Sequence, residues 1–452
     1  MDKKLFGTDG IRGVANEYPI TPEVMIRLGR AIIHSLPDSA GKKRILIGKD
    51  TRISGDMIES AIAAGICSMN GDAFLTGVIP TPGISYLTAA NRFDAGIVIS
   101  ASHNPYFDNG IKIFNHLGFK LSDPIEKGIE DKVLDDLFIS NQLLSKNIGV
   151  VKNFNSPELK YIRFLKQTLP PDYSLSGLNV ILDCSNGATY QVAPKLFELL
   201  GADVKTLFAS PNGMNINDHC GSQHTETLRE TILENNADIG FAFDGDGDRL
   251  IAVDDQGNEV TGDQILAVCA KYLKEKGQLT NNIVVSTVMS NVGLRQALKK
   301  QDIRLIIADV GDRYVLDQMK KKHAIIGGED SGHMIFLDHH TSGDGILTAI
   351  RLIQVIKETA QPLSELVKII KIYPQVLLNV PVSQKIDIRT IPEIIDIIQK
   401  TENRLKDQGR VLVRYSGTQP LCRVMVEGPD KVETQQYCQD IVDVIKDKLG
   451  TN

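Results

Sequence analysis

Between residues 244 and 249 the chain reads Asp244-Gly245-Asp246-Gly247-Asp248-Arg249, three carboxylates at alternate positions separated by glycines that let the backbone curl around one point. Hard oxygen donors of this kind suit Mg²⁺ or Ca²⁺. An EF-hand loop would need glycine at its sixth position and glutamate at its twelfth, and those positions here hold Arg249 and Asp255. The flanks, Phe241-Ala242-Phe243 and Leu250-Ile251-Ala252-Val253, also read as strands and not as helices. A solvated acidic turn is the bland alternative, but three close carboxylates repel unless a cation offsets them. Arg249 stands where it can pair with them or face a phosphate.

A second loop, Ser100-Ala101-Ser102-His103-Asn104-Pro105, closes a strand and is followed by Asp108-Asn109-Gly110-Ile111-Lys112. A serine at a strand end is placed for nucleophilic work. Without a Gly-x-Ser-x-Gly elbow the hydrolase reading is weak, and the loop taken alone fits a turn braced by Ser and Asn side chains better. His103 and Lys112 are the candidate general bases. His103 can instead brace the loop, and Lys112 without a depressed pKa is a fixed cation.

The third loop, Gly327-Gly328-Glu329-Asp330-Ser331-Gly332-His333, offers the carboxylate and hydroxyl groups that bind sugar hydroxyls, with a plain acidic turn as its alternative. The fourth, Arg414-Tyr415-Ser416-Gly417-Thr418-Gln419-Pro420 with Arg423 beyond it, combines guanidinium, hydroxyl and flexible backbone donors and favours a phosphate, with a surface turn carrying two unrelated arginines as its alternative. Together the four loops describe a phosphorylated sugar better than a protein partner.

Elements must bring these loops into place. The first three quarters of the chain alternate β-branched runs with helix-like stretches, the pattern of βαβ units. Such stretches open at Arg44-Ile45-Leu46-Ile47-Gly48, at Leu178-Asn179-Val180-Ile181-Leu182 and at Asn282-Ile283-Val284-Val285-Ser286. Each also holds an apolar strand running into one loop: Gly96-Ile97-Val98-Ile99, Gly240-Phe241-Ala242-Phe243 and Ala324-Ile325-Ile326. Ligands of open α/β sheets sit beyond the carboxyl ends of strands, so a loosely repeated plan lets three loops serve one cleft. From about Tyr373 the pattern becomes a small α+β domain, with Val376–Val380 and Arg410–Arg414 framing a helix near 391–405.

Composition narrows the class. The 42% hydrophobic and 23% charged content of 452 residues supplies several cores, and the net charge of -6 leaves no basic face for nucleic acid. The N-terminal Met1-Asp2-Lys3-Lys4-Leu5-Phe6-Gly7 carries no apolar signal region, and no run approaches 18 apolar residues, so the expectation is a cytoplasmic protein without a membrane segment. Cys67, Cys184, Cys220, Cys269, Cys422 and Cys438 form no Cys-x-x-Cys pair and read as reduced packing residues.

With all four loops in this order, the sequence resembles the α-D-phosphohexomutase superfamily across nearly its whole length. Within it the likeness is greatest to bacterial members that act on glucosamine phosphates, through Phe6-Gly7-Thr8-Asp9-Gly10-Ile11-Arg12-Gly13, Val310-Gly311-Asp312-Arg313-Tyr314-Val315 and Arg423-Val424-Met425-Val426-Glu427-Gly428. The resemblance implies three similar mixed-sheet α/β domains plus a smaller C-terminal α+β domain around a central cleft, here 1–155, 156–258, 259–372 and 373–452. It implies a phosphoserine at Ser102 sharing one Mg²⁺ per chain with Asp244, Asp246 and Asp248, Arg12 and Lys112 beside it, and a sugar 1,6-bisphosphate as intermediate and activator. Glu329 and Ser331 match the sugar-binding pair, with Arg249, Asp312, Arg313 and His333 also assigned to substrate. Arg414, Ser416, Gly417, Thr418 and Arg423 match the phosphate loop. Gln419 stands where the family usually has glutamate, and Asp330 where its glucosamine enzymes usually have glutamine. The implied partner is a small phosphosugar, with monomer and homodimer both open. The rival readings are a glucose or mannose phosphate mutase of the same superfamily, a metal phosphatase with a water nucleophile, and a sugar-phosphate sensor without catalysis.

Overall fold

The computed structural model describes residues 5–7, 9–37, 41–136, 138, 147–416 and 420–450. It divides into two compact units, Met1–Val288 with Ile306–Val367, and Met289–Leu305 with Lys368–Asn452. The first unit is built on three mixed sheets. Its largest sheet contains β1 (Phe6–Gly7), β2 (Gly10–Val14), β3 (Arg44–Lys49), β4 (Asp72–Val78), β5 (Ala95–Ile99), β6 (Asp108–Asn115) and β7 (Val151–Asn153) in the order β1-β2-β6-β5-β3-β4-β7. Every residue of β5 is buried, as expected of a strand covered on both faces.

Helices cover this sheet for reasons visible in their residues. In α1 (Pro22–Ser35) the Thr21 hydroxyl caps the first turn, Pro22 occupies a position that needs no N–H, and Met25, Leu28 and Ile32 form the buried stripe. That stripe meets α2 (Gly55–Ser68), where Ile58, Ile62 and Ile66 are buried. Each such aliphatic side chain contributes about 1.5–3 kcal/mol of burial. The two helices approach to backbone contact, since a Cβ on Gly65 would lie 2.2 Å from the Ile26 carbonyl oxygen and one on Gly29 2.4 Å from that of Ile62.

The second sheet comprises β8 (Asn179–Asp183), β9 (Asp203–Leu207), β10 (Ile239–Phe243), β11 (Leu250–Val253) and β12 (Glu259–Val260), ordered β12-β11-β10-β8-β9. The third comprises β13 (Ile283–Thr287), β14 (Arg304–Ala308), β15 (Ile326–Gly328) and β16 (Met334–Phe336), ordered β14-β13-β15-β16. The repeat suspected from sequence is thereby a shared connection. In each sheet a strand paired parallel on one side, β5, β10 or β15, turns back into an antiparallel neighbour, β6, β11 or β16. The serine, aspartate and third loops are these three returns. The third strand extends through Gly328, so its loop starts at Glu329 and not at Gly327.

The second unit has an antiparallel sheet, β17 (Gln375–Pro381), β18 (Arg410–Tyr415) and β19 (Leu421–Glu427) in the order β17-β19-β18, with helices Pro392–Leu405 and Lys431–Leu449. It also takes in residues 289–305, which sequence patterning groups with the third α/β stretch. The cause is polar: the Val292 amide donates to Glu427, the Asn291 side chain to the Tyr373 carbonyl, and Arg410 to the Ser290 carbonyl.

Replacing Gly65 by alanine forces two helix backbones apart and is expected to cost about 1–3 kcal/mol, read as a lower thermal midpoint. Gly128→Ala is the control: Gly128 lies in α3 (Asp123–Leu134), where nothing is within 4 Å of the added Cβ, so it is expected to match or exceed wild type by up to roughly 1 kcal/mol. Equal midpoints for Gly65→Ala and wild type would contradict the packing.

Candidate functional site

Asp244, Asp246 and Asp248 sit on the β10–β11 return, all buried, with ligand oxygens within 4.8 Å of one another. Ser102, on the β5–β6 return, donates its hydroxyl to Asp244 Oδ2 at 2.6 Å. The Asp246 carboxylate accepts from the Thr81 hydroxyl at 2.5 Å, and the Thr81 amide donates to the Asp246 carbonyl at 2.8 Å. Asp246 Oδ1 and Asp248 Oδ1 are buried without a hydrogen-bond donor among the described residues. Open carboxylate oxygens in an all-oxygen set fit a hard divalent cation such as Mg²⁺, so the triad is a candidate metal site.

Cations gather around the triad. Lys112, buried on β6, reaches Asp246 Oδ2 at 2.8 Å and Asp248 Oδ2 at 2.9 Å. Burial works against its charge, but Asp246, Asp248 and Asp9 outweigh it and raise the ammonium well above its ordinary range. Both ion pairs suit Lys112 to the role of a fixed cation. Burial, then repulsion from Asp248 and Asp246, holds the Asp244 carboxyl well above the usual carboxylate range. Arg12 on β2 donates to the Ala101 carbonyl at 2.9 Å and to Asp9 at 2.5 Å. His103 Nδ1 lies 3.3 Å from Ser102 Oγ. Burial together with the charges of Arg249 and Arg12 pulls the His103 imidazole down to about 4.

The third return reaches the same cluster. His333 Nδ1 stands 3.7 Å from Asp248 Oδ1 and its Nε2 3.6 Å from Asp312 Oδ2. Burial opposes its charge, yet the two carboxylates raise it. Arg249 Nε is 3.8 Å from Asp248 Oδ1, and the Arg249 amide donates to Asp244 Oδ1 at 3.1 Å. Glu329 Oε1 accepts from the Gly311 amide at 3.0 Å, bringing the Val310–Val315 stretch against this loop. Arg313 turns to α3, with Nη2 2.7 Å from Glu126 and Nη1 against Asp123, so it ties that stretch to the helix. Ser331 is exposed on the loop. Asp330, unusual at its position, has a local explanation: its carboxylate accepts from the Asp263 amide in the first turn of helix Gly262–Glu275, where an acid suits the helix dipole.

In the second unit Arg414 and Arg423 are register partners on β18 and β19. Like charges directly opposite one another are unfavourable without an anion between them. Arg423 Nε is buried without a hydrogen-bond acceptor among the described residues, and burial with the neighbouring Arg423 lowers the Arg414 guanidinium. The Lys385 ammonium donates to the Ser416 carbonyl at 2.7 Å, bringing a further positive charge to the end of β18. Gly417 and Thr418 lie outside the described residues.

Several participants were not read from sequence. Asp9 and Lys120 carry the network onward, the Lys120 ammonium meeting Asp9 at 2.5 Å and Asp312 at 2.6 Å. Arg52 and Asn217 hold the serine loop by its carbonyls. The available signal was Asp50-Thr51-Arg52 directly after β3, the same passage from strand to polar loop that marked the other sites.

Four segments of the chain match known domain families. Residues 3–139, 160–257 and 261–373 match phosphoglucomutase/phosphomannomutase alpha/beta/alpha domains I, II and III, and residues 377–444 match the C-terminal domain of that family. The phosphoglucosamine mutase of Syntrophus aciditrophicus is 56% identical over 449 residues, covering 99% of this chain and 100% of that protein. That of Syntrophobacter fumaroxidans is 55% identical, covering 99% of each. Among solved structures, a phosphoglucomutase/phosphomannomutase family protein from Burkholderia thailandensis has the same fold, with TM-score 0.80, 23% identity and coverage of 100% of this chain and 99% of that one. Aspergillus fumigatus N-acetylphosphoglucosamine mutase, solved with GlcNAc-6P and magnesium, has TM-score 0.69 and 16% identity, covering 100% and 96%.

The His103 value carries a sign that can be measured. The unfolded chain takes up a proton on this imidazole near pH 6.5 and the native protein only near 4, so His103 makes the fold less stable as pH falls through that window. In protein with labelled histidine, the His103 ring resonances, assigned with His103→Gln, are expected to stay in place from about pH 8 to about pH 5.5. A midpoint at or above roughly 6.5 would contradict the geometry.

Proposed function

Because the chain belongs to the α-D-phosphohexomutase superfamily, through its phosphoglucomutase/phosphomannomutase family, we propose that it interconverts glucosamine 6-phosphate and glucosamine 1-phosphate. The observation that carries the chemistry is the hydrogen bond from Ser102 Oγ to Asp244 inside the carboxylate triad. Full-length identity above one half to curated phosphoglucosamine mutases supports the amino sugar.

In this reading Ser102 carries a phosphoryl group, and Asp244, Asp246 and Asp248 would hold one Mg²⁺ beside it. When bound, the ion supplies positive charge that polarises the phosphoryl oxygens. Phospho-Ser102 gives its phosphoryl group to the free hydroxyl of glucosamine 6-phosphate: the bond from phosphorus to Oγ breaks as the bond to the sugar oxygen forms. The hydroxyl proton ends on Oγ by way of the neutral His103 imidazole, whose Nδ1 lies 3.3 Å from that oxygen. Lys112 and Arg12 stabilise charge in the loose transition state. The resulting 1,6-bisphosphate turns end for end, Ser102 takes back the other phosphoryl group by the reverse proton path, and the 1-phosphate leaves. The same bisphosphate, from solution, primes unphosphorylated Ser102.

The anion site formed by Arg414, Arg423 and Ser416, with Gly417 and Thr418, is assigned to the phosphate that is not in transfer. Glu329 and Ser331 are assigned to the sugar hydroxyls, and Arg249, Asp312 and His333 complete the substrate contacts. Arg313 acts one step removed, by anchoring the Val310–Val315 stretch to α3. The domain divisions at 155, 258 and 372 belong to the same proposal. Six free cysteines support a reducing, cytoplasmic setting, and no helix among the described residues is long and apolar enough to cross a membrane.

Ser102→Ala is expected to lose at least about 1,000-fold in kcat while keeping the fold. For the wild type, kcat/KM is expected to favour glucosamine 6-phosphate over glucose 6-phosphate and mannose 6-phosphate by at least roughly tenfold. Preference for either neutral sugar would assign the chain to the rival mutases. Turnover that survives in Ser102→Ala would remove the phosphoserine route.

A further inference from the structure

Ser102 has φ +55°, a left-handed conformation that a residue with a side chain rarely adopts and that persists only where its surroundings hold it. Both of its backbone groups are accounted for. Its N–H donates to the Ser100 hydroxyl at 3.0 Å, and that hydroxyl donates to Asp50 Oδ2 at 2.5 Å. Asp50 also accepts from Arg52 Nε at 2.8 Å. The Ser102 carbonyl accepts from Arg52 Nη2 at 2.9 Å and from Asn217 Nδ2 at 2.9 Å.

The same two side chains also donate to the Asn104 carbonyl, at 2.8 Å and 3.0 Å. Arg52 is buried, and its remaining donors reach the Asp108 carbonyl at 3.1 Å and the Pro105 carbonyl. The loop is thus wrapped around one guanidinium. A planar fork with five donors can serve this many acceptors, whereas an ammonium has three donors on a flexible stem.

Resting on the reading of Ser102 as phosphate carrier, we propose that Arg52 and Asn217 are positioning residues whose joint grip on the Ser102 carbonyl sets the direction of Oγ relative to the aspartate triad. Neither is among the groups that meet the reacting atoms. Gly245 of the metal loop rests on the same carbonyl: a Cβ there would lie 2.6 Å from Ser102 O and 2.8 Å from Asn217 Nδ2. The clamp therefore fixes the serine loop against the metal loop as well as against itself. Loosening it leaves the carboxylates, the sugar contacts and the phosphate site intact while misaiming the nucleophile, a displacement that costs kcat and spares KM.

The test uses the full-length protein with Mg²⁺ and a hexose 1,6-bisphosphate, comparing wild type, Asn217→Ala and Arg52→Lys. Expected are losses in kcat of about 10-fold and about 100-fold, with KM for glucosamine 6-phosphate and the calorimetric Kd for Mg²⁺ within roughly twofold of wild type. Backbone amides of residues 102–104 are expected to exchange hydrogen faster in both variants. Wild-type kcat in a folded Asn217→Ala together with unchanged exchange at 102–104 overturns the clamp. So does a kcat loss matched by an equal loss of Mg²⁺ affinity with that exchange unchanged. If Arg52→Lys does not fold, Asn217→Ala decides alone. Absence of turnover in the wild type refutes the proposed reaction and not the clamp, which the exchange measurement still decides.

Discussion

Three carboxylates share one buried site, and most of what surrounds them answers that charge. Two unit charges 4 Å apart repel by roughly 4 kcal/mol at an effective dielectric of 20, so the triad cannot be fully ionised unaided. The Lys112 ammonium offsets part of this through Asp246 and Asp248, and Asp244 remains raised. His333 and Arg249 approach Asp248 from two further loops. Ionising Asp244 as well, beside a phosphoryl group of about -1.5 to -2 on Ser102, would call for the charge of a further cation. On that ground the triad is a candidate metal site.

The fold meets this demand by repeating one connection. A strand paired parallel on one side returns as an antiparallel neighbour, and the return exposes a loop at the carboxyl end of the sheet. Three sheets do this in one unit, delivering Ser102, the aspartates and His333 to one cluster. Because each loop is gripped at both ends by ladder hydrogen bonds, short polar side chains meet across it without long flexible arms. The second unit uses another device, two arginines facing each other across an antiparallel pair.

Much of this was legible in the residues. Alternating aspartates and glycines announce a candidate cation site because few other arrangements tolerate that charge density. Buried strands such as 95–99 and 239–243 announce themselves as continuous apolar runs. What escaped sequence reading depends on distance along the chain. Arg52 acts on carbonyls around 50 residues away, and a carbonyl carries no residue identity that a pattern could detect. The carboxylate partners of Lys112, Asp246 and Asp248, are equally invisible from its neighbours along the chain. The partners of Arg313, Asp123 and Glu126, likewise belong to a helix far earlier in the chain. Residues 289–305 follow hydrogen bonds to Glu427 and Tyr373 that no periodicity records.

The central claim is that phosphate travels on Ser102 beside the triad. Peptide mapping by mass spectrometry, after incubation with a hexose 1,6-bisphosphate and Mg²⁺, tests it most directly. The expected result is a single phosphoryl group on Ser102, removed again by glucosamine 6-phosphate. Phosphate on another residue, or free inorganic phosphate released with no labelled protein at any time, would contradict it.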